Sequence, residues 1–106
     1  MRVLFDQGTR APLRRLLPGH DISTAYELGW SRLKNGALLA AAEAQGFALL
    51  VTTDTQLKYQ QNLAARSVAV VVLGTTSWPR IRAAAEAVAV AVNAATRGAY
   101  VEVAIP

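Results

Sequence analysis

Two of the seven acidic residues in this 106-residue chain stand in matching places. Asp6 ends the apolar run Val3-Leu4-Phe5, and Asp54 ends the run Leu49-Leu50-Val51-Thr52-Thr53. Runs this short, apolar without alternation, suit strands buried on both faces. If the two strands are parallel neighbours, both carboxylates emerge at the carboxyl edge of one sheet, where open α/β folds bind ligands. Two nearby carboxylates repel unless a proton or a cation lies between them. Ligation by oxygen alone is the chemistry of Mg²⁺ or Mn²⁺, with water completing the shell. Such an ion can activate water against a phosphodiester. The alternative for each aspartate taken singly is helix capping.

Basic residues lie within reach of that pair. Lys58 follows Asp54 by one helical turn and shares its face, while Arg14 and Arg15 lie one to two turns beyond Asp6. The net charge of +4 suits a polyanionic partner. Of the other acids, Glu86 and Glu102 read as solvated faces, Glu27 as a surface charge, and Asp21 as the start of a strand. Glu43, in mid-helix beside an apolar face, is placed to support the aspartates from behind. Other chemistries are excluded. There is no cysteine, hence no disulfide, zinc ribbon or thiol catalysis. No glycine-rich phosphate loop follows a strand. The single histidine, His20, sits in a Pro-Gly-His-Asp turn, and no GxSxG elbow exists for it to serve.

The elements that must position these groups follow from periodicity. Residues 2–5 form a first strand, and Pro12 opens a helix on which Leu13, Leu16 and Leu17 keep one face, closed by Pro18-Gly19. A weaker strand spans 20–25. Asn35 caps a helix over 36–45 that Gly46 ends. The strand at 48–53, a helix after Asp54, the strand at 67–73, a long helix from Pro79 to about Thr96 and an alternating strand at 100–105 complete the chain. Strands and helices in this alternation predict a single α/β domain. Its architecture is a three-layer α/β/α sandwich with a mainly parallel central sheet and right-handed crossovers. No segment is long and apolar enough to span a bilayer and no signal peptide is visible, so a soluble cytoplasmic protein is expected.

The order of VLFDQG at 3–8, HDISTAYELGWSRLKNGALLAAAEAQGF at 20–47, LLVTTDTQLKYQQNLA at 49–64 and VAVVVLG at 68–74 resembles the compact bacterial PIN-like proteins, the group that includes VapC-type toxins. The resemblance covers about the first three quarters of the chain. It implies a PIN-like fold and Mg²⁺- or Mn²⁺-dependent ribonuclease activity, often as a toxin paired with a small antitoxin. By position, Asp6 and Asp54 match two of the family's metal-binding acids. Gln7 stands where relatives commonly carry Glu, and Asn35 and Ala37 stand where they carry an acid.

Two functions of different classes follow. In the first, Asp6 and Asp54 hold the metal, Asn35 assists through its amide oxygen, Lys58, Arg14 and Arg15 hold RNA, and water is the nucleophile. In the second, a catalytically degenerate PIN-like module binds RNA or a protein partner without cleavage. The nearly all-apolar helix at 79–97 adds an expectation of contact with an antitoxin or a second copy, since a helix apolar all round is usually covered all round.

Overall fold

The computed structural model describes residues 1–57 and 63–106, and the side chains of those segments except Asn35 and Ala64. Five strands, β1 (Arg2–Phe5), β2 (Asp21–Thr24), β3 (Leu49–Thr52), β4 (Ala69–Leu73) and β5 (Tyr100–Val103), form one sheet in the order β2-β1-β3-β4-β5. Every neighbouring pair is parallel. β3 and β4 are buried at every residue, as their unbroken apolar runs require.

Because side chains alternate along a strand, each strand feeds two cores. On one face Val3, Phe5, Leu49, Val51, Val71 and Leu73 meet Leu13 and Leu17 of a 3-10 segment (Ala11–Leu16 and its cap), and Ile81, Val88 and Val92. On the other, Leu4, Leu50, Val70 and Val72 meet Leu38, Leu39 and Ala42 of α1 (Asn35–Ala44), with Phe47 and Leu57 beside them. Trp30 covers this second core from a loop, its ring edge-on to Phe47 at 6.1 Å.

Three expected details change. The segment after Pro12 is 3-10, not α: it is six residues long, its cap residue Arg10 makes no side-chain bond, and Pro18 follows at once. Asn35 is the first helical residue of α1, and Lys34 holds the cap position with extended backbone angles. The long helix is two, α2 (Trp78–Ala83) and α3 (Ala85–Ala94), with Ala84 between them at φ −101° and ψ 17°.

The crossovers also depart from one hand. The β1→β2 and β4→β5 connections lie on the same face, joined through Leu13, Leu17, Val88 and Val92. They run in opposite directions across the sheet. Parallel crossovers on one face running opposite ways have opposite hands, so the uniform right-handedness expected of such a sheet fails for one of them.

Glu43 proves to be a strut at the amino edge, away from Asp6 and Asp54. Its carboxylate accepts the Ser67 backbone N–H at 3.0 Å and the Ser67 hydroxyl at 3.0 Å, and pairs with Arg66 at 2.7 Å. The Ser67 N–H first, then Arg66, holds its pKa at about 2, below the ordinary 4.5. A folded-state pKa below the unfolded one stabilises the fold above the unfolded pKa, and that contribution is lost as pH falls from about 4.5 to about 2. Thermal melts across this window should therefore fall more steeply for the wild type than for Glu43→Gln. Parallel curves would show that Glu43 adds nothing to acid sensitivity.

Candidate active site at the carboxyl edge

In a sheet ordered β2-β1-β3, the chain leaves β1 in one direction and returns to β3 on the other side. The switch point therefore lies between the carboxyl ends of β1 and β3. Asp6 follows β1 and Asp54 follows β3 by two residues, so the topology brings both to this crevice. They line one cleft of about 240 Å³, together with Gln7, Ser31, Lys34 and Thr52 over an apolar floor.

Asp6 is held from three directions. Its Oδ1 accepts the Thr9 hydroxyl at 2.7 Å and the Gly8 N–H at 3.2 Å, and its Oδ2 accepts the Thr52 hydroxyl. Thr9, itself buried, also hydrogen-bonds through its hydroxyl to the carbonyl oxygen of Val51, 3.0 Å away, which ties the turn after β1 to β3. A Cβ at Gly8 would meet Thr53 Oγ1, so a larger residue there requires the Thr53 side chain to turn away. Asp54 is held more lightly: its Oδ1 accepts the Gln56 N–H at 2.9 Å, closing a turn. The two acids are linked by Thr52, whose hydroxyl accepts the Asp54 N–H at 3.0 Å while donating to Asp6.

A carboxylate oxygen accepts about two hydrogen bonds. Among the described residues, Asp6 Oδ1 is filled, Asp6 Oδ2 and Asp54 Oδ1 each keep room for one more partner, and Asp54 Oδ2 receives none. The two aspartates that line the cleft thus keep hard, anionic oxygens with room for a partner, a donor type that fits Mg²⁺ or Mn²⁺ with water completing the shell. Among the described residues no group of three or more His, Cys, Asp or Glu is placed to hold a metal.

The opposite wall comes from residues 30–34, and Gln7 places it. The Gln7 amide nitrogen donates toward the carbonyls of Leu33 (2.6 Å), Ser31 (3.0 Å) and Trp30 (3.2 Å). This brings exposed Lys34, and with it the N-terminus of α1, onto the cleft, where a cation and free N–H groups favour an anion. The contact requires a donor, which an amide at position 7 supplies and a carboxylate would not. Gln7→Glu should turn a carboxylate toward three carbonyls and lower stability by about 1 kcal/mol. It should read as a lower urea midpoint at unchanged slope, and an unchanged midpoint would mean that the loop holds itself.

The remaining expected site residues divide. Lys58 lies outside the described residues, as does most of the helix expected after Asp54. The Asn35 backbone opens α1, and its side chain is likewise outside them. Arg15 is exposed on the 3-10 segment. Arg14 is engaged: its guanidinium pairs with Glu27, so Glu27 is a built contact and not a stray surface charge. That pairing lowers the Glu27 pKa. Thr52 and Thr9 carry no site assignment from the sequence, and Lys34 counts there only as one of the dispersed basic residues that flank loops and could hold a phosphodiester. Thr52 alone carried a usable signal there, as a polar residue in a fully buried run that must find partners.

No family model, no curated protein and no solved structure matches this chain.

Proposed function

We propose that this protein is a metal-dependent ribonuclease of the PIN-like class, with a three-layer α/β/α architecture, working in the cytoplasm as the toxin of a toxin–antitoxin pair. One observation carries the reading. Asp6 and Asp54 line one cleft at the β1/β3 switch point, both with oxygens that keep room for a partner, and Lys34 lines the same cleft. Asp6 and Asp54 would hold Mg²⁺ or Mn²⁺, which when bound supplies positive charge at the scissile phosphate and acidifies the attacking water. Lys34 and the N-terminus of α1 attract and orient that phosphate, and Thr52 keeps the two acids in register. Asn35 assists through its amide oxygen, and Lys58 and Arg15 add positive charge along the strand of RNA.

A second reading has its own support. Two carboxylates hold a hard cation less firmly than three or four, and among the described residues no third acid joins them. On that reading the module is catalytically degenerate and works by binding RNA or a protein. A protein partner, antitoxin or second copy, has a face to use on α3, where Ala87, Val90 and Ala94 are exposed at one-face spacing. Among the described residues no helix is long and apolar enough to cross a membrane.

Calorimetric titration with Mn²⁺, coupled to cleavage of single-stranded RNA, tests the proposal. Mn²⁺ binding with cleavage that EDTA abolishes supports the ribonuclease. RNA binding without cleavage at saturating Mn²⁺ supports the degenerate module and rejects the enzyme.

A further inference from the structure

A second cavity, of about 360 Å³, opens beside the acidic cleft. It shares Asp6 and Gln7 with it and is lined further by Arg14, Thr24, Tyr26 and Glu27. Its charged wall is paired at the Arg14 Nη groups, while Arg14 Nε is buried without a partner among the described residues. The Arg14 guanidinium meets both Glu27 oxygens, Nη1 to Oε2 at 3.3 Å and Nη2 to Oε1 at closer range. Glu27 Oε1 also accepts the Thr24 N–H at 2.9 Å, and the Glu27 N–H donates to Thr24 Oγ1 at 3.1 Å. This reciprocal Thr-x-x-Glu pairing is the bonding of a capping box, and it fixes the turn between its two ends. Tyr26 rides on that turn and is 83% exposed at the cavity wall.

These features choose between two ligand chemistries. A phosphate entering here would have to break the Arg14–Glu27 pair or sit against the Glu27 carboxylate, so the cavity gains little from an anion. A large aromatic ring held in solvent by a braced turn offers a π-face instead, and nucleobases stack on such faces whatever their sequence. The two cavities share a wall, so a nucleotide whose phosphate reaches Lys34 has its neighbour beside Tyr26.

We infer that the cavity beside Asp6 is a nucleobase subsite, in which Tyr26 stacks on the base flanking the phosphate held in the acidic cleft, so that single-stranded RNA leaves the cleft toward β2. The inference rests on the ribonuclease reading for the presence of that phosphate. It assigns Arg14 and Glu27 to bracing the subsite, and it requires an unpaired strand, because a base inside a duplex is already stacked.

Fluorescence anisotropy with labelled hexaadenylate, single-stranded or annealed to its complement, tests this on the full chain. Binding is measured with Mn²⁺ and in EDTA, and the RNA is checked for integrity on a gel. Tyr26 packs against no core, so its variants fold. Tyr26→Ala is expected to weaken single-strand binding roughly 5- to 100-fold. Tyr26→Phe restores it by returning the ring, and duplex binding is weak and indifferent to position 26. If the wild type binds single strands and Tyr26→Ala binds them equally well, the subsite is wrong while the ribonuclease reading stands. If the wild type binds no RNA in either condition, both are wrong.

Discussion

Asp54→Asn is expected to reduce Mn²⁺ affinity by roughly ten- to hundredfold or more while leaving stability nearly unchanged, whereas Asp6→Asn reduces both. The magnitude follows from comparison: removing a partner behind a metal ligand typically costs about 10- to 100-fold in affinity, and removing the charge of the ligand itself costs at least as much. The difference between the two variants follows from their hydrogen bonds. Asp54 accepts one backbone N–H, from Gln56, and an asparagine oxygen serves that turn equally well. Asp6 accepts from Gly8, Thr9 and Thr52 on both oxygens. An asparagine there must aim its NH₂ at one of those donors, which leaves a partly buried group unpaired at about 1–3 kcal/mol. Calorimetry with Mn²⁺ and urea unfolding separate the two effects. Wild-type affinity in Asp54→Asn would reduce Asp54 to a turn-former and remove the metal site.

The strands were legible because a parallel sheet covered on both faces leaves no ambiguity in its apolar runs. Val3-Leu4-Phe5, Leu49-Leu50-Val51 and Val70-Val71-Val72 are all buried, and the first strand has the bounds its sequence predicts. The helices were less legible for physical reasons. Pro12 suits the first turn of an α-helix and of a 3-10 segment alike, so it could not tell them apart. The break at Ala84 lies inside Ala83-Ala84-Ala85, where the residue of highest helix propensity stands on both sides and no proline or glycine marks a stop.

The candidate site shows a similar division. Asp6 and Asp54 were visible because residue type and strand-end position are local properties. Lys34 was visible only as one of several dispersed basic residues, because its place at the cleft depends on a bond between Gln7 and carbonyls 23 to 26 residues later. Arg14 was read as a phosphate contact because its partner, Glu27, is 13 residues away and reaches it only through the fold. Glu43 was close to the right kind of assignment but at the wrong edge. Its partners Arg66 and Ser67 precede β4, and a helix that joins two parallel strands runs antiparallel to them, so its last turn meets the amino edge, away from the strand-end aspartates.

Thr52→Val should uncouple the two acids. Thr52 is 1% exposed, and its hydroxyl does two things at once, donating to Asp6 Oδ2 and accepting the Asp54 N–H. Valine has nearly the same shape, so packing is kept while both bonds go. The Asp54 N–H then lacks its acceptor, and Asp6 Oδ2 loses its donor. Leaving such groups unpaired costs about 1–3 kcal/mol, which should appear as a lower urea midpoint at unchanged slope. Thr52→Ser makes the opposite change, keeping the hydroxyl and losing one buried methyl, at about 1 kcal/mol. If the hydroxyl sets the register of the metal ligands, Mn²⁺ affinity falls in Thr52→Val and returns in Thr52→Ser, although both variants are less stable than the wild type. Affinity that instead follows stability through the two variants would show that Thr52 serves the fold alone, and that Asp6 and Asp54 hold their positions without it.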